Sequence, residues 1–293
     1  MSAGQSALAF RRTQARDLLL TALAPAIWGS SYIVTTQLLP QVPAMTVALL
    51  RALPAGLLLL AFARRLPQGV WWLRVFILGA LNFSVFWSML FVSAYRLPGG
   101  AAATVGAVQP LVVVFLAAWV LGSALRPASV LGALAGLAGV ALLVLTPGVR
   151  LDATGIAAGL AAAVSMACGT VLTRKWRAPV PLLTFTAWQL TAGGLLLLPV
   201  ALWAGPDFPA PTPGHLIGLA WLGLVGAALT YVLWFRGIAR LEPGVVASLG
   251  FLSPVTAIVL GWLVLGQTLT TVQVAGVVLV LGGIWLGQRG AVR

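Results

Sequence analysis

Trp28, Ser31, Tyr32 and Thr35 fall at i, i+3, i+4 and i+7, and so share one face of a helix. Their chemistry is recognition rather than bond-making: rings that can hold an apolar group, hydroxyls that can donate or accept. A second set runs through Asn82, Phe83, Phe86 and Trp87, with Tyr231 and Trp234 in a corresponding stretch further on. Gln109 precedes Pro110 and Ser253 precedes Pro254, with Phe251 nearby. A proline lacks its own N–H and clashes with the carbonyl four residues back, here Gly106 or Gly250. These two sites are therefore candidate hinges as well as candidate contacts. Met166 and Thr170 complete the candidate set. Nothing in it suits catalysis. His215 is the only histidine, and no metal-ligand cluster, nucleophile–base pair or phosphate-cradling glycine loop has usable context. The expectation is a protein that is not an enzyme and has no metal or cofactor.

The elements that position these residues follow from composition. The chain has 293 residues, 61% hydrophobic and 7% charged, with a mean hydropathy of +1.06. Soluble domains carry about 25% charged residues, so a soluble fold is excluded. A spanning helix needs about 20 apolar residues to cross a hydrocarbon core of about 30 Å. Breaking the chain at its Pro-, Gly- and Arg-rich stretches predicts ten spans, at 18–38, 43–63, 73–94, 100–122, 127–146, 153–173, 181–203, 214–236, 244–265 and 270–288. The first begins like a signal peptide, but Pro25 after Ala22-Leu23-Ala24 suits cleavage poorly, and it reads as a retained helix. The connections leave no room for a soluble domain. The one cysteine, Cys168, lies inside a predicted helix, so no intrachain disulfide can form.

In a bilayer a polar–aromatic stripe faces either the helix bundle or a water-filled cavity. The plainer reading is interhelical hydrogen bonding for the hydroxyls, packing or lipid contact for the rings, and core filling for Met166. Charge distribution bears on orientation. The net charge of +13 would suggest nucleic acid if it were clustered, but the basic residues sit at span ends. One side collects Arg11, Arg12, Arg16, Arg64, Arg65, Arg74, Arg126, Arg174, Lys175, Arg177, Arg236, Arg240, Arg289 and Arg293; the other has Arg96 and Arg150. This bias predicts both termini in the cytoplasm. Trp71, Trp72, Trp176 and Trp203 lie near span ends, as interfacial anchors do. Arg51 alone sits inside a span, where it either serves the site or binds carbonyls and snorkels; the latter is favoured.

The chain also repeats itself. Arg96 to Leu125 returns as Arg240 to Leu269 at an offset of 144, matching at 11 of 30 positions. Chance in so biased a composition gives roughly three. Both copies carry the proline and end on a glycine, Gly122 or Gly266. Spans two and seven align at an offset of 138, and spans one and six at 140, pairing Gly29 with Gly169 and Ser30 with Thr170. The extra residues of the second unit accumulate around the outer loop from Gly205 to Pro211. The expected organisation is thus two five-helix units, 1–148 and 150–293. An odd number of spans makes the second enter the membrane inverted, an arrangement of secondary transporters with the site between the repeats. The glycine pairs Gly132/Gly136 and Gly283/Gly287 fit close helix packing.

The ten helices, the five-plus-five repeat, the Trp28-Gly29-Ser30-Ser31-Tyr32 cluster, Leu50-Arg51 and the paired proline helices resemble the drug/metabolite transporter superfamily. Within it the chain is similar to EamA-type exporters, and most to the YddG-type aromatic amino acid exporters. The resemblance implies a central cavity lined by helices one, three, four, six, eight and nine, with five and ten behind. It also implies export of aromatic and other amino acids across a bacterial cytoplasmic (inner) membrane. The acidic residues Asp17, Asp152, Asp207 and Glu242 all lie at span ends or in loops, which disfavours proton-coupled export of cations. A phosphorylated substrate would want several cavity Lys or Arg. The expected substrate is a zwitterion or neutral metabolite, carried by alternating access in a uniport-like manner by a monomer or weak dimer in the bilayer, without nucleic acid. The alternatives are export of another small neutral metabolite, or a channel or lipid-handling role.

Overall fold

The computed structural model describes residues 3–40, 42–97, 104–144, 152–204 and 210–289. Among them are ten helices long and apolar enough to cross a membrane: α1 Thr13–Leu38, α2 Ala44–Ala63, α3 Trp71–Ala94, α4 Thr104–Leu121, α5 Pro127–Val144, α6 Ala153–Trp176, α7 Leu182–Ala204, α8 Pro213–Arg240, α9 Pro243–Leu265 and α10 Thr271–Gln288. No strand occurs among the described residues. The protein is an all-α, polytopic membrane protein. Arg150, Asp207, Arg293, most of the proline-rich loop and the residues following Leu97 in the Arg96 turn lie outside the described residues, as do the side chains of Arg11, Arg12 and Arg289.

The helices are apolar on nearly every side, because lipid and protein core are both apolar; small residues mark their closest contacts. Large side chains lie on both faces: Phe62, Trp119 and Trp203 are 73%, 85% and 88% exposed, while Phe83, Trp234 and Phe235 are buried. Glycines sit where helix backbones approach most closely. A Cβ on Gly132 of α5 would lie 2.6 Å from the Gly283 carbonyl oxygen of α10, and a Cβ on Gly283 2.6 Å from that of Gly132. Gly139 and Gly276 repeat this contact at 2.9 Å in both directions, a pair the sequence reading did not single out. Between α2 and α7, Gly56 meets Thr191 and Gly194 meets Leu53, again reciprocally.

Such reciprocity is what two repeats related by a twofold produce, and it corrects one register. Gly237 abuts Thr21, while Gly159 abuts Ser93; Arg240 pairs with Asp17, while Gly155 abuts Arg96. Contacts of α3 and α8 match at an offset of 144, so these place α1 and α6 at 138, not 140. Trp28 therefore corresponds to Met166, and Thr170 to Tyr32 rather than Ser30. The misalignment arose from small-residue similarity, which carries little register information in helices built of alanine and glycine.

Helix ends and interruptions repeat as well. Gly122 and Gly266 end α4 and α9 at φ +68° and +65°, a conformation that costs glycine little. The predicted proline breaks are present: α4 is interrupted at Ala107–Val108 and α9 at Gly250–Phe251, each just before its proline. The chain tightens there into i→i−3 hydrogen bonds, such as Ala107 N to Thr104 O at 3.2 Å and Phe251 N to Ser248 O at 3.2 Å. Local tightening thus takes up part of what the prolines free. The sequence reading missed two π-helical stretches, Ala80–Ser84 in α3 and Trp221–Leu229 in α8, at equivalent places in the two repeats. Such bulges are common at functional sites. His215, singled out as the one histidine, forms a capping box with Thr212 at the start of α8.

The α5–α10 contact makes a sharp prediction. Gly132→Leu forces side-chain atoms against the α10 backbone and costs about 1–3 kcal/mol. Gly282→Leu, whose Cβ meets nothing within 4 Å, should leave stability unchanged. Thermal unfolding of purified protein in detergent reads both; equal shifts would contradict the packing described.

Candidate functional site

A cavity of about 460 Å³ lies between the two repeats. It gathers Trp28, Ser31, Tyr32 and Thr35 from α1, Phe86 and Trp87 from α3, and Gln109 and Pro110 from α4. Met166 of α6, Tyr231 and Trp234 of α8, and Phe251, Ser253 and Pro254 of α9 close the ring. These are helices one, three, four, six, eight and nine, as the resemblance implies. α2 contributes too, through Val47, Ala48 and Arg51. Nothing in its leucine-rich sequence marks Val47 and Ala48 as wall residues, whereas the intramembrane charge of Arg51 was a visible signal.

Three candidates stand elsewhere. Asn82 is fully buried away from the cavity, donating to Gln189 Oε1 at 2.8 Å and Thr173 Oγ1 at 3.3 Å. Asn82 does not line this cavity; from the π turn of α3 it is directed at α6 and α7. Phe83 packs behind the wall, 4.6 Å ring to ring from Tyr231. Thr170 is 1% exposed and belongs to the same buried region as Asn82.

Behind the cavity wall, one buried backbone carbonyl holds two of the lining side chains, Trp28 and Arg51. Gly226 lies in the π turn of α8, with no side chain to shield its oxygen. It accepts from Arg51 Nη2 at 2.6 Å, Thr230 Oγ1 at 2.8 Å and Trp28 Nε1 at 3.2 Å. Trp28 Nε1 also lies 2.9 Å from Thr230 Oγ1, and its ring packs 5.1 Å from those of Tyr231 and Trp234. The Arg51 guanidinium sits over the Trp87 ring at 5.2 Å. Arg51 thus binds a carbonyl, as the structural reading held, and also lines the cavity. Four donor-bearing groups at the cavity have a buried atom without a partner: Ser31 Oγ, Arg51 Nε, Gln109 Nε2 and Trp234 Nε1. No carboxylate is among the lining residues. Aromatic rings and one fixed cation favour a solute with an apolar part and an anionic or acceptor-rich head.

The cavity reaches one side only. Thr35, Val47, Ala94 and Gly106 each lie within four residues of the arginine-poor end of their helix, about 6 Å at 1.5 Å per residue. The arginine-rich side is tied shut at the α8–α9 turn. Asp17, 4% exposed, accepts from Arg236 Nη2 at 2.7 Å and Nε at 2.9 Å, and pairs with Arg240 at 3.4 Å. Arg174 of α6 donates to the Ile238 carbonyl at 2.7 Å and to that of Leu241. Arg126 pairs with Glu242 at 3.0 Å.

The sequence profile of the EamA-like transporter family matches residues 16–145 and 153–287, one match in each half of the chain. The chain belongs to the EamA-like transporter family. Protein PecM of Dickeya dadantii is 43% identical over 267 residues, covering 90% of either chain. A probable amino-acid metabolite efflux pump of Salmonella typhimurium is 26% identical, covering 94% of this chain and 95% of its own. A solved structure superposes with a TM-score of 0.81 at 23% identity, over 95% of this chain and 99% of that one, which establishes the shared fold. As an EamA-like protein, the chain is a multi-pass membrane transporter acting on small molecules.

The seal described above carries a prediction for this EamA-like chain. Asp17→Asn leaves two guanidiniums without their carboxylate and removes about 2 kcal/mol, between the values for exposed and buried pairs. A drop in melting temperature with retained expression checks it. An unchanged melting temperature would mean that Asp17 does not hold the turn.

Proposed function

We propose that this EamA-like protein exports amino acids, aromatic and other neutral ones, from the cytoplasm by alternating access. The observation that carries the reading is the cavity itself: rings for an apolar side chain, the Arg51 guanidinium for a carboxylate, and no acidic residue among those lining it. Dipoles rather than full charges meet most of the zwitterion, which implies modest affinity and broad selectivity. The same lack of a wall carboxylate supports uniport-like rather than proton-coupled transport. The Salmonella relative, a probable amino-acid metabolite efflux pump, points the same way.

The arginine bias supports a bacterial cytoplasmic membrane with both termini inside. In that orientation the conformation described has its cavity toward the outside, and the Arg240 turn serves as the closed inner gate. Pro110 and Pro254 are the proposed hinges, since each follows a helix break at the cavity edge. Units 1–148 and 150–293 are the proposed moving halves.

Purified protein in liposomes should give saturable flux of labelled phenylalanine, accelerated by unlabelled amino acid on the opposite side. Trp28→Ala should change the ranking among aromatic, branched and small polar amino acids without loss of protein. Absence of flux for all three classes sinks the substrate assignment, and non-saturable flux would favour a channel.

A further inference from the structure

The two repeats present one contact in two chemical versions. With α2 and α7 aligned at 138, Arg51 corresponds to Gln189; with α3 and α8 at 144, Asn82 corresponds to Gly226. The pair Arg51–Gly226 at 2.6 Å therefore maps onto the pair Gln189–Asn82 at 2.8 Å. Each joins the middle of the second helix of one repeat to the π turn in the third helix of the other. Arg51 of the first pair lines the open cavity, whereas both members of the second pair are sealed from solvent.

The correspondence extends to the wall around each pair. Tyr32 and Thr35, on the arginine-poor side, map onto Thr170 and Thr173 on the arginine-rich side. Tyr32 is 57% exposed, whereas Thr170 and Thr173 are 1% and 5% exposed. Lining residues nearer mid-membrane instead map onto other lining residues: Trp28 onto Met166, Trp87 onto Tyr231, Gln109 onto Ser253 and Pro110 onto Pro254. The cavity thus has a self-equivalent floor and an outer wall whose counterpart is closed.

That closed counterpart is polar and incompletely satisfied. Asn82 Oδ1, Gln189 Nε2 and Thr170 Oγ1 are all buried without a partner. A buried polar group left unpaired costs about 1–3 kcal/mol, so three on adjoining helices need a reason. Ordinary interhelical hydrogen bonding does not supply one, since it would leave the atoms paired. A series of rings in edge and tilted contact leads inward from the cavity wall at Tyr231: Phe83 lies 4.6 Å from Tyr231, Tyr231 5.7 Å from Phe235, and Phe235 6.2 Å from Phe185.

We infer that Asn82, Thr170, Thr173 and Gln189 form the wall of a second, arginine-rich-side vestibule, which opens to water and to the transported solute when the repeats exchange conformations. The inference rests on the alternating-access reading above. It gives the unpaired atoms their partners in the other state, where water or solute reaches them. It also gives a place on the transport path to Asn82 and Thr170, which the present cavity excludes. The ring cluster around Phe83 and Tyr231 is the septum that must part, and the Asp17 and Arg174 ties at the α8–α9 turn are what must release.

Cysteine accessibility tests this. In a Cys168→Ser background, Thr35→Cys, Thr173→Cys and Thr170→Cys are made singly and treated with a membrane-impermeant maleimide, in intact cells and in inside-out vesicles. Flux of labelled phenylalanine is measured on the Cys168→Ser parent. The expected result is that Thr173→Cys labels from the membrane face opposite to that which labels Thr35→Cys, and that its labelling abolishes flux. Thr170→Cys replaces Thr173→Cys if the latter does not accumulate. Parental flux with both buried cysteines silent from both faces overturns the vestibule and leaves the transport reading standing. Labelling of Thr173→Cys from the same face as Thr35→Cys overturns it equally. No flux in the parent while Thr35→Cys still labels defeats the proposed function, and the vestibule with it.

Discussion

Hydrocarbon offers no hydrogen-bond partner, so a chain within it must satisfy its own backbone or turn the irregular parts toward protein or water. Among the described residues, four irregular stretches interrupt the spans, and each is turned toward the cavity or toward buried polar partners. The breaks of α4 and α9 edge the cavity at Ala107 and Phe251. The π turn of α8 presents the Gly226 carbonyl to Trp28, Arg51 and Thr230. The π turn of α3 turns Asn82 toward Gln189 and presents the Leu81 carbonyl to Ser165. Irregular backbone that lipid could not tolerate becomes the material of the site.

The same constraint divides the helices into two kinds. α5 with α10, and α2 with α7, meet through glycines whose backbones touch across the repeat interface, leaving no room for side chains to repack. These pairs are self-equivalent under the twofold and suit a frame. α3, α4, α8 and α9 carry the breaks and bulges, and the unbroken α1 and α6 join α8 and α9 at the α8–α9 turn through ion pairs and side-chain-to-carbonyl bonds that can exchange partners. Rigidity and mobility thus follow from where glycine faces glycine and where arginine faces carbonyl.

Much of this was legible in the sequence, and the gaps have physical causes. Hydropathy and prolines give the spans and the breaks, because both act within one helix. The stripe from Trp28 to Thr35 predicts its own face, and all four residues reach the cavity. Asn82 and Thr170 were legible as polar residues in mid-membrane, but direction was not: the π turn that rotates Asn82 toward α6 and α7 leaves no mark in composition. The register of α1 against α6 slipped by two residues for the same reason that Gly139 and Gly276 were overlooked. In helices of alanine and glycine, every alignment resembles its neighbours until contacts choose one.

The ion pairs break the symmetry that the repeats otherwise keep. On the arginine-poor side Arg96 and Asp152 stand 3.9 Å apart with side chains 54% and 41% exposed, a geometry that contributes little. On the other side Asp17 is buried and shared by two arginines, and Arg174 adds its bonds to backbone. Two halves alike enough to exchange packings are thus weighted toward closure on the arginine-rich side. A weighting of a few kcal/mol is compatible with transport, since a minor state of 0.1–10% is what such a gap leaves populated. A much larger one would hold the protein in a single state. Asp17 can therefore be buried enough to set the preference, while Arg236 and Arg240, at 26% and 49% exposure, keep water close enough for the pair to part.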